Sequence, residues 1–160
     1  MDKLTLLGKL GLPSDLDTWD GYPAAREKFY TLAKNAGAQD MLIISGDSHS
    51  YWQNALFDDS DQPVGLELGA TGISSPRSVR KLGEAGIKRY DRLNAAHNKE
   101  IVWSDGRHQG FIRLNINHKN IRADFITVSN IETTQYTTQT IHSVDIVKQQ
   151  GTLRYVGEEN

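Results

Sequence analysis

Met41-Leu42-Ile43-Ile44-Ser45 reads as a strand, and it runs directly into Gly46-Asp47-Ser48-His49-Ser50. A short apolar run closed by a glycine that permits a sharp turn constrains this part of the chain to a sheltered strand in a layered fold. Asp47 and His49 follow at i and i+2, a spacing at which side chains of an extended or tightly turning segment can face the same way. A hard carboxylate oxygen and an imidazole nitrogen could therefore converge on a metal ion at the strand's C-terminal edge. Strand ends of this kind are where layered α/β folds keep their chemistry. The bland alternative is an aspartate that caps a turn and a histidine that packs beside it.

The flanking segments extend the layered picture. Trp19-Asp20-Gly21-Tyr22-Pro23 is a turn leading into a helix, with Pro23 at the first helical position and Asp20 as its N-terminal partner. Ala25, Phe29, Leu32, Ala33 and Ala36 recur at helical spacing and predict one apolar face that covers strand 41–45, with Gly37 as the C-cap. Tyr51–Phe57 fits a short strand or a helix, and Val64, Leu66 and Leu68 alternate as a half-buried strand does. Residues 70–99, with Gly72, Pro76, Gly83 and Gly86, read as a long functional loop carrying short helices at Ser78–Leu82 and Lys88–Ala95. Strands are expected at Ile101–Trp103, Gly110–Asn117, Ile121–Ser129 and about 137–148, with a last one at Thr152–Val156. Asn117-His118-Lys119-Asn120 reads as a hairpin connection. The expectation is one α/β domain over 1–160, a layered β-sandwich flanked by helices, β-rich after about residue 100, with 1–18 as an arm.

Composition removes several function classes. The chain has 160 residues, enough for one core, and its 18 basic and 20 acidic residues give no broad nucleic-acid or membrane surface. The absence of cysteine excludes disulfides and thiolate metal sites. No apolar run reaches the ~18 residues that span a bilayer, and no export signal is visible in the chain.

The turn Trp19-Asp20-Gly21-Tyr22-Pro23-Ala24-Ala25-Arg26, followed by a helix, a strand and Gly46-Asp47-Ser48-His49-Ser50, resembles the alkaline phosphatase D family of calcineurin-like metallophosphoesterases. Pro63-Val64-Gly65-Leu66-Glu67-Leu68, Thr71-Gly72-Ile73-Ser74-Ser75-Pro76, Asn94-Ala95-Ala96-His97 and Gly110-Phe111-Ile112-Arg113-Leu114 are similar to that family too. The resemblance covers most of residues 15–128. It implies a two-sheet sandwich with a metal cluster at the strand ends that clamps phosphate oxygens and activates a bound water, acting on phosphate mono- or diesters. Asp47 and His49 carry over as metal ligands. Relatives in the wider superfamily have Gly-His-x-His there; an aspartate in place of the first histidine marks this branch. Its hard oxygen favours calcium or iron over zinc, with manganese or zinc as further options. The resemblance also implies a periplasmic or secreted protein.

One departure is large. A multinuclear site needs several more ligands, and the family supplies most of them from earlier segments that have no counterpart here. The chain is therefore expected to be the C-terminal half of such an enzyme, to pair with an N-terminal half, and to be inactive alone.

Two rival readings stand beside this one. Gly46-Asp47-Ser48 also resembles the Gly-Asp-Ser element of serine esterases, with Ser48 as nucleophile and Asp105-x-x-His108 completing a triad. The β-rich second half does not match that fold. A non-catalytic β-sandwich module that pairs with a missing half is the third reading. Among the remaining residues, His97 is expected to cap, His108 and His118 to sit in solvated turns, and His142 to be structural. Trp19 and Tyr22 are expected to staple the helix. Trp52 is expected beneath the metal site or in the core, and Arg77 and Arg80 on a solvated loop face that could meet a phosphate.

Overall fold

The computed structural model describes residues 18–156 apart from positions 39 and 78. The arm expected over 1–18 lies, save Thr18, outside the described residues, as does the side chain of Asp20. Among the described residues, eight strands form two four-stranded sheets. The first contains β1 (Met41–Ser45), β2 (Tyr51–Phe57), β3 (Pro63–Gly69) and β4 (Ile101–Asp105), in the order β1-β3-β2-β4. The second is a meander of β5 (Gly110–Ile116), β6 (Asn120–Val128), β7 (Thr138–Gln149) and β8 (Thr152–Val156). Helix α1 spans Pro23–Asn35 and helix α2 spans Gly83–His97. Among the described residues, no helix is long and apolar enough to cross a membrane.

The two sheets face one another across a core of Tyr51, Leu66, Leu68, Ala123, Phe125, Val144 and Ile146. Period-2 alternation builds it: Ile121, Ala123 and Phe125 point inward from β6, while Arg122 and Asp124 point out. The outward residues form an ion-pair ladder, Arg113–Asp124–Arg122–Asp145, in which both arginines are exposed and Asp124 lies buried beneath them. The exposed Arg122–Asp145 pair stabilises little, roughly 0–1 kcal/mol, and burial of the apolar face carries the sandwich. Strand β3 departs from the expected half-burial. It is the inner neighbour of both β1 and β2, and the positions that alternate with Val64, Leu66 and Leu68 are sheltered as well, Gly65 and Gly69 buried and Glu67 half-buried, because its two faces are both covered.

Helix α1 covers the outer face of the first sheet, where Tyr30 packs with Leu56 and Val64 and against Met41 and Ile43. Pro23 opens the helix and Gly37 follows it at φ 76°, as expected. The buried face is not the expected one. Phe29 and Leu32 are exposed, and the inward side chain is Tyr30, flanked by half-buried Arg26 and Ala33. Counting only aliphatic and phenyl positions hid this: a tyrosine and an arginine with its carboxylate partner Glu100 form the true inner stripe. Tyr51–Phe57 is a strand, and the region read as loop with short pieces holds a four-turn helix. Gly83, at φ 64°, opens the α2 span after a short turn at Arg80–Leu82, and Gly86 sits inside it rather than breaking it. Gly86 is where α2 approaches its own preceding turn, since a Cβ there would lie 2.9 Å from Leu82. Ile87 anchors α2, fully buried, beside Val79 and the Gly106 turn.

Candidate functional site

Strand polarity places the chemistry. β1 is parallel to β3, with Ser45 opposite Gly69. β2 is antiparallel to β3 and to β4, with Trp52 opposite Gly69 and Tyr51 opposite Asp105. The C-terminal ends of β1, β3 and β4 and the start of β2 therefore share one edge. Three connections emerge there: the 46–50 turn, the 70–77 segment and the 106–109 turn.

Asp47 and His49 lie on the first of these. Both adopt left-handed backbone, φ 67° and 57°, a conformation that costs non-glycine residues energy and persists only where surroundings impose it. Strain of this kind re-aims side chains, and here two consecutive alternate positions carry it. His49 Nδ1 lies 2.8 Å from the Pro76 carbonyl oxygen. With Nδ1–H donating to that carbonyl, the Nε2 lone pair is left as the ring's acceptor. This is the tautomer in which histidine ligates metals, with backbone fixing ring orientation. Asp47 is exposed at the turn. Trp52 Nε1 donates to Ser48 Oγ at 2.6 Å, so the indole braces the turn from the adjoining strand.

The other two connections are tied to the first through backbone carbonyls. Gln109 Nε2 donates to the Ser75 carbonyl, next to the Pro76 carbonyl that holds His49. Arg77 Nη1 donates to the Arg107 carbonyl at 2.5 Å and pairs with Glu84 at 3.2 Å. Arg77 is thus a clamp between connections rather than a free solvated residue. Thr71 adds an unusual detail: its hydroxyl is buried without a protein hydrogen-bond partner, at the start of the middle connection.

Asp105 ends β4 and is 1% exposed. Its carboxylate accepts from the backbone N–H groups of Arg107 and His108, both at 2.9 Å. It also takes Nε and Nη2 of Arg107, at 3.1 and 2.8 Å, and Nδ1 of His108 at 3.0 Å. Burial alone would raise its pKa. The donors from His108 and Arg107 outweigh burial and hold the carboxyl below the usual value of 3.8, ionised. The expectation of a solvated turn at His108 is corrected here, because its ring is half-buried and bound to a buried carboxylate. The Asp105–His108 pair of the serine esterase reading is formed. Ser48 Oγ, however, is taken up by Trp52 and lies 3.4 Å from the Ser50 carbonyl.

The remaining histidines are elsewhere. His97 ends α2 and is exposed, and His118 is exposed in the 117–120 hairpin turn. His142 lies between the sheets, stacked on Trp103 at 4.2 Å with Nε2 2.7 Å from Gln53 Oε1, a structural role as expected. Trp19 meets Phe29 edge-on at 6.1 Å, which makes it the staple on α1. Asp47 and His49 fit a metal in kind: a hard oxygen, and an imidazole oriented by a carbonyl. They do not fit it in number. Among the described residues, no group of three or more His, Asp or Glu side chains could hold an ion.

Comparison with known proteins relates the chain to a family and a fold. The family model described as PhoD-like phosphatase matches residues 3–125. The chain is 24% identical over 110 residues to alkaline phosphatase D of Bacillus subtilis (strain 168), covering 69% of this chain but 18% of that protein. Among solved structures, "Structure of PhoD" superposes with a TM-score of 0.65 over 90% of this chain and 27% of its own, at 22% identity, a likeness of fold. The chain spans about a fifth of the length of the curated relative it matches.

Proposed function

The chain belongs to the PhoD-like phosphatase family, and from that premise we propose that it contributes part of the active site of a metal-dependent phosphoesterase acting on phosphate mono- or diesters. The observation that carries the reading is the strained 46–50 turn at the shared strand edge, with His49 Nδ1 bound to the Pro76 carbonyl. Asp47 and His49 would hold the metal, the first by carboxylate oxygen and the second through Nε2. The metal, when bound, supplies positive charge to the phosphoryl oxygens and lowers the pKa of a bound water. The chain's own residues orient and shelter: Pro76 fixes the imidazole, and Trp52 braces the turn. Calcium and iron suit the hard aspartate oxygen best, and the resemblance to alkaline phosphatase D favours a periplasmic or secreted setting.

Two ligands do not fix a catalytic ion, so the remaining ones would come from the part of the enzyme that longer relatives carry beyond this region. On this reading the 160 residues alone turn over an aryl phosphate little or not at all and bind metal weakly. The test is an aryl phosphate assay with calcium, iron, manganese or zinc, run beside elemental analysis. Robust turnover tracking a stoichiometric metal would overturn the partial-site reading. In a version extended to the length of its relatives, Asp47→Ala or His49→Ala should cut turnover by orders of magnitude with the fold intact. Near-normal turnover in a folded, metal-replete variant would sink the ligand assignment.

A further inference from the structure

Asp105 has no part in the ligand set proposed above, yet it is the most heavily engaged carboxylate at the shared edge. One buried side chain accepts from two backbone N–H groups, a two-pronged guanidinium and an imidazole, all within 3.1 Å. Capping the 106–109 turn needs only the two backbone donors. The side-chain donors do something further: they fix Arg107 and His108 in defined orientations while both remain about one-third exposed, 31% and 35%. A guanidinium held by Nε and Nη2 is a rigid fork rather than a flexible surface cation. An imidazole whose Nδ1 is engaged by a carboxylate presents Nε2 at its free end. The turn is in turn locked to the 70–77 segment by Arg77 and Gln109, and that segment orients His49.

We propose that Arg107 and His108, held by Asp105, form an anion-binding arm that takes the oxygens of a phosphate-type group at this edge. The inference rests on the phosphoesterase reading for its choice of anion, and on the geometry of the 106–109 turn for its residues. Arg107 supplies a planar, permanently charged donor set suited to paired phosphate oxygens. His108, as the imidazolium with Nδ1–H on Asp105, supplies a second, directional donor, Nε2–H, from the same turn. Asp105 is a positioning residue, since it reaches the anion only through the two side chains it holds. The arm belongs wholly to this chain, so its anion affinity does not depend on a metal or on ligands from elsewhere.

The experiment is an NMR titration of the 160-residue chain with phenylphosphonate, a non-hydrolysable probe, against a chloride titration of matched ionic strength. The His108 ring and Arg107 Nε–H signals should shift saturably with phenylphosphonate and not with chloride. Arg107→Gln and His108→Gln change partly exposed side chains, so both variants should keep a dispersed spectrum. Each should weaken the apparent affinity about tenfold, the loss of one charge-assisted hydrogen bond. Lys119→Gln, which removes a cation from the 117–120 hairpin at the other end of β5, should leave the affinity unchanged, which separates this arm from general surface charge. If Asp47 and His49 prove dispensable for hydrolysis while the titration behaves as stated, the arm stands and the metal-site reading falls. Non-saturating shifts, equal shifts with chloride, or unaltered affinity in both glutamine variants would overturn the arm and leave Asp105 as a turn cap.

Discussion

At residue scale, Gly110 leaves no room for a side chain. A Cβ at Gly110 would lie 1.9 Å from the Ile126 carbonyl oxygen and 2.6 Å from the Tyr51 hydroxyl. That space is filled because Tyr51 donates to the Ile126 carbonyl at 2.7 Å, a bond that joins the two sheets. Gly110→Ala must therefore push apart either the β5–β6 ladder or this bond. Urea unfolding should show a loss of about 3 kcal/mol, within the overpacking range or above it. Tyr51→Phe removes only the hydroxyl and leaves one buried carbonyl short of a donor, so about 1–2 kcal/mol should be lost. His142 gives a prediction in pH. Burial holds its pKa below 6.5, so the folded protein keeps the ring neutral while the unfolded chain would protonate. Stability from this group is complete above 6.5 and falls as pH drops below 6.5 toward the depressed folded value. The carboxylates with lowered pKa, Asp40, Asp58, Asp105 and Asp124, lose their contribution only below 3.8, so the two windows are separate. His142→Gln should flatten the decline in stability on acidification from neutral pH to about 5.5, measured by urea midpoints. An unchanged slope would refute the assignment.

At the scale of elements, α1 separates what its sequence says from what it does. Phe29 and Leu32 are apolar and exposed, while Tyr30 is fully buried against Leu56 and Val64. Tyr30→Ala should cost about 3 kcal/mol through the cavity it leaves, whereas Leu32→Ala should change stability by under about 0.5 kcal/mol. Thermal unfolding of the two variants side by side checks the contrast. The strands were legible because alternation survives in them: β5 to β8 fall within a residue or two of their expected bounds, and the 117–120 hairpin is where its polar run places it. Helix registers were not. A short amphipathic helix that buries a tyrosine and an ion-paired arginine defeats a count of aliphatic positions, and two glycines concealed the full length of α2. The turn at 46–50 stood out because strand, glycine and alternating polar ligands are contiguous. The Asp105 constellation did not, since its meaning lies in burial, and Asp105-Gly106-Arg107-His108 looks like any polar turn until a carboxylate is seen inside it.

At the scale of the whole molecule, the core is shared across a large distance in sequence. Tyr51, Leu66 and Leu68 are sealed by Phe125, Val144 and Ile146, and the second sheet is a meander whose neighbours are all consecutive. The second sheet is thus local in its wiring and the first is not, with β1 reaching past β2 to pair with β3. Local hairpins close quickly, and parallel or long-range pairings wait on loop entropy. During synthesis on a ribosome the order is reversed. The slow, long-range sheet leaves the exit tunnel first, and the quick one that must shield it arrives last. Until β6 and β7 are out, the inner face of the first sheet lacks its partner sheet and offers its apolar side chains to other nascent chains. A chain stopped after residue 109 should bind the dye ANS and aggregate, and supplying residues 110–156 in trans should quench the dye signal. The protein's most vulnerable moment, on this account, falls in the seconds before its last two strands emerge, when chaperone capture would matter most.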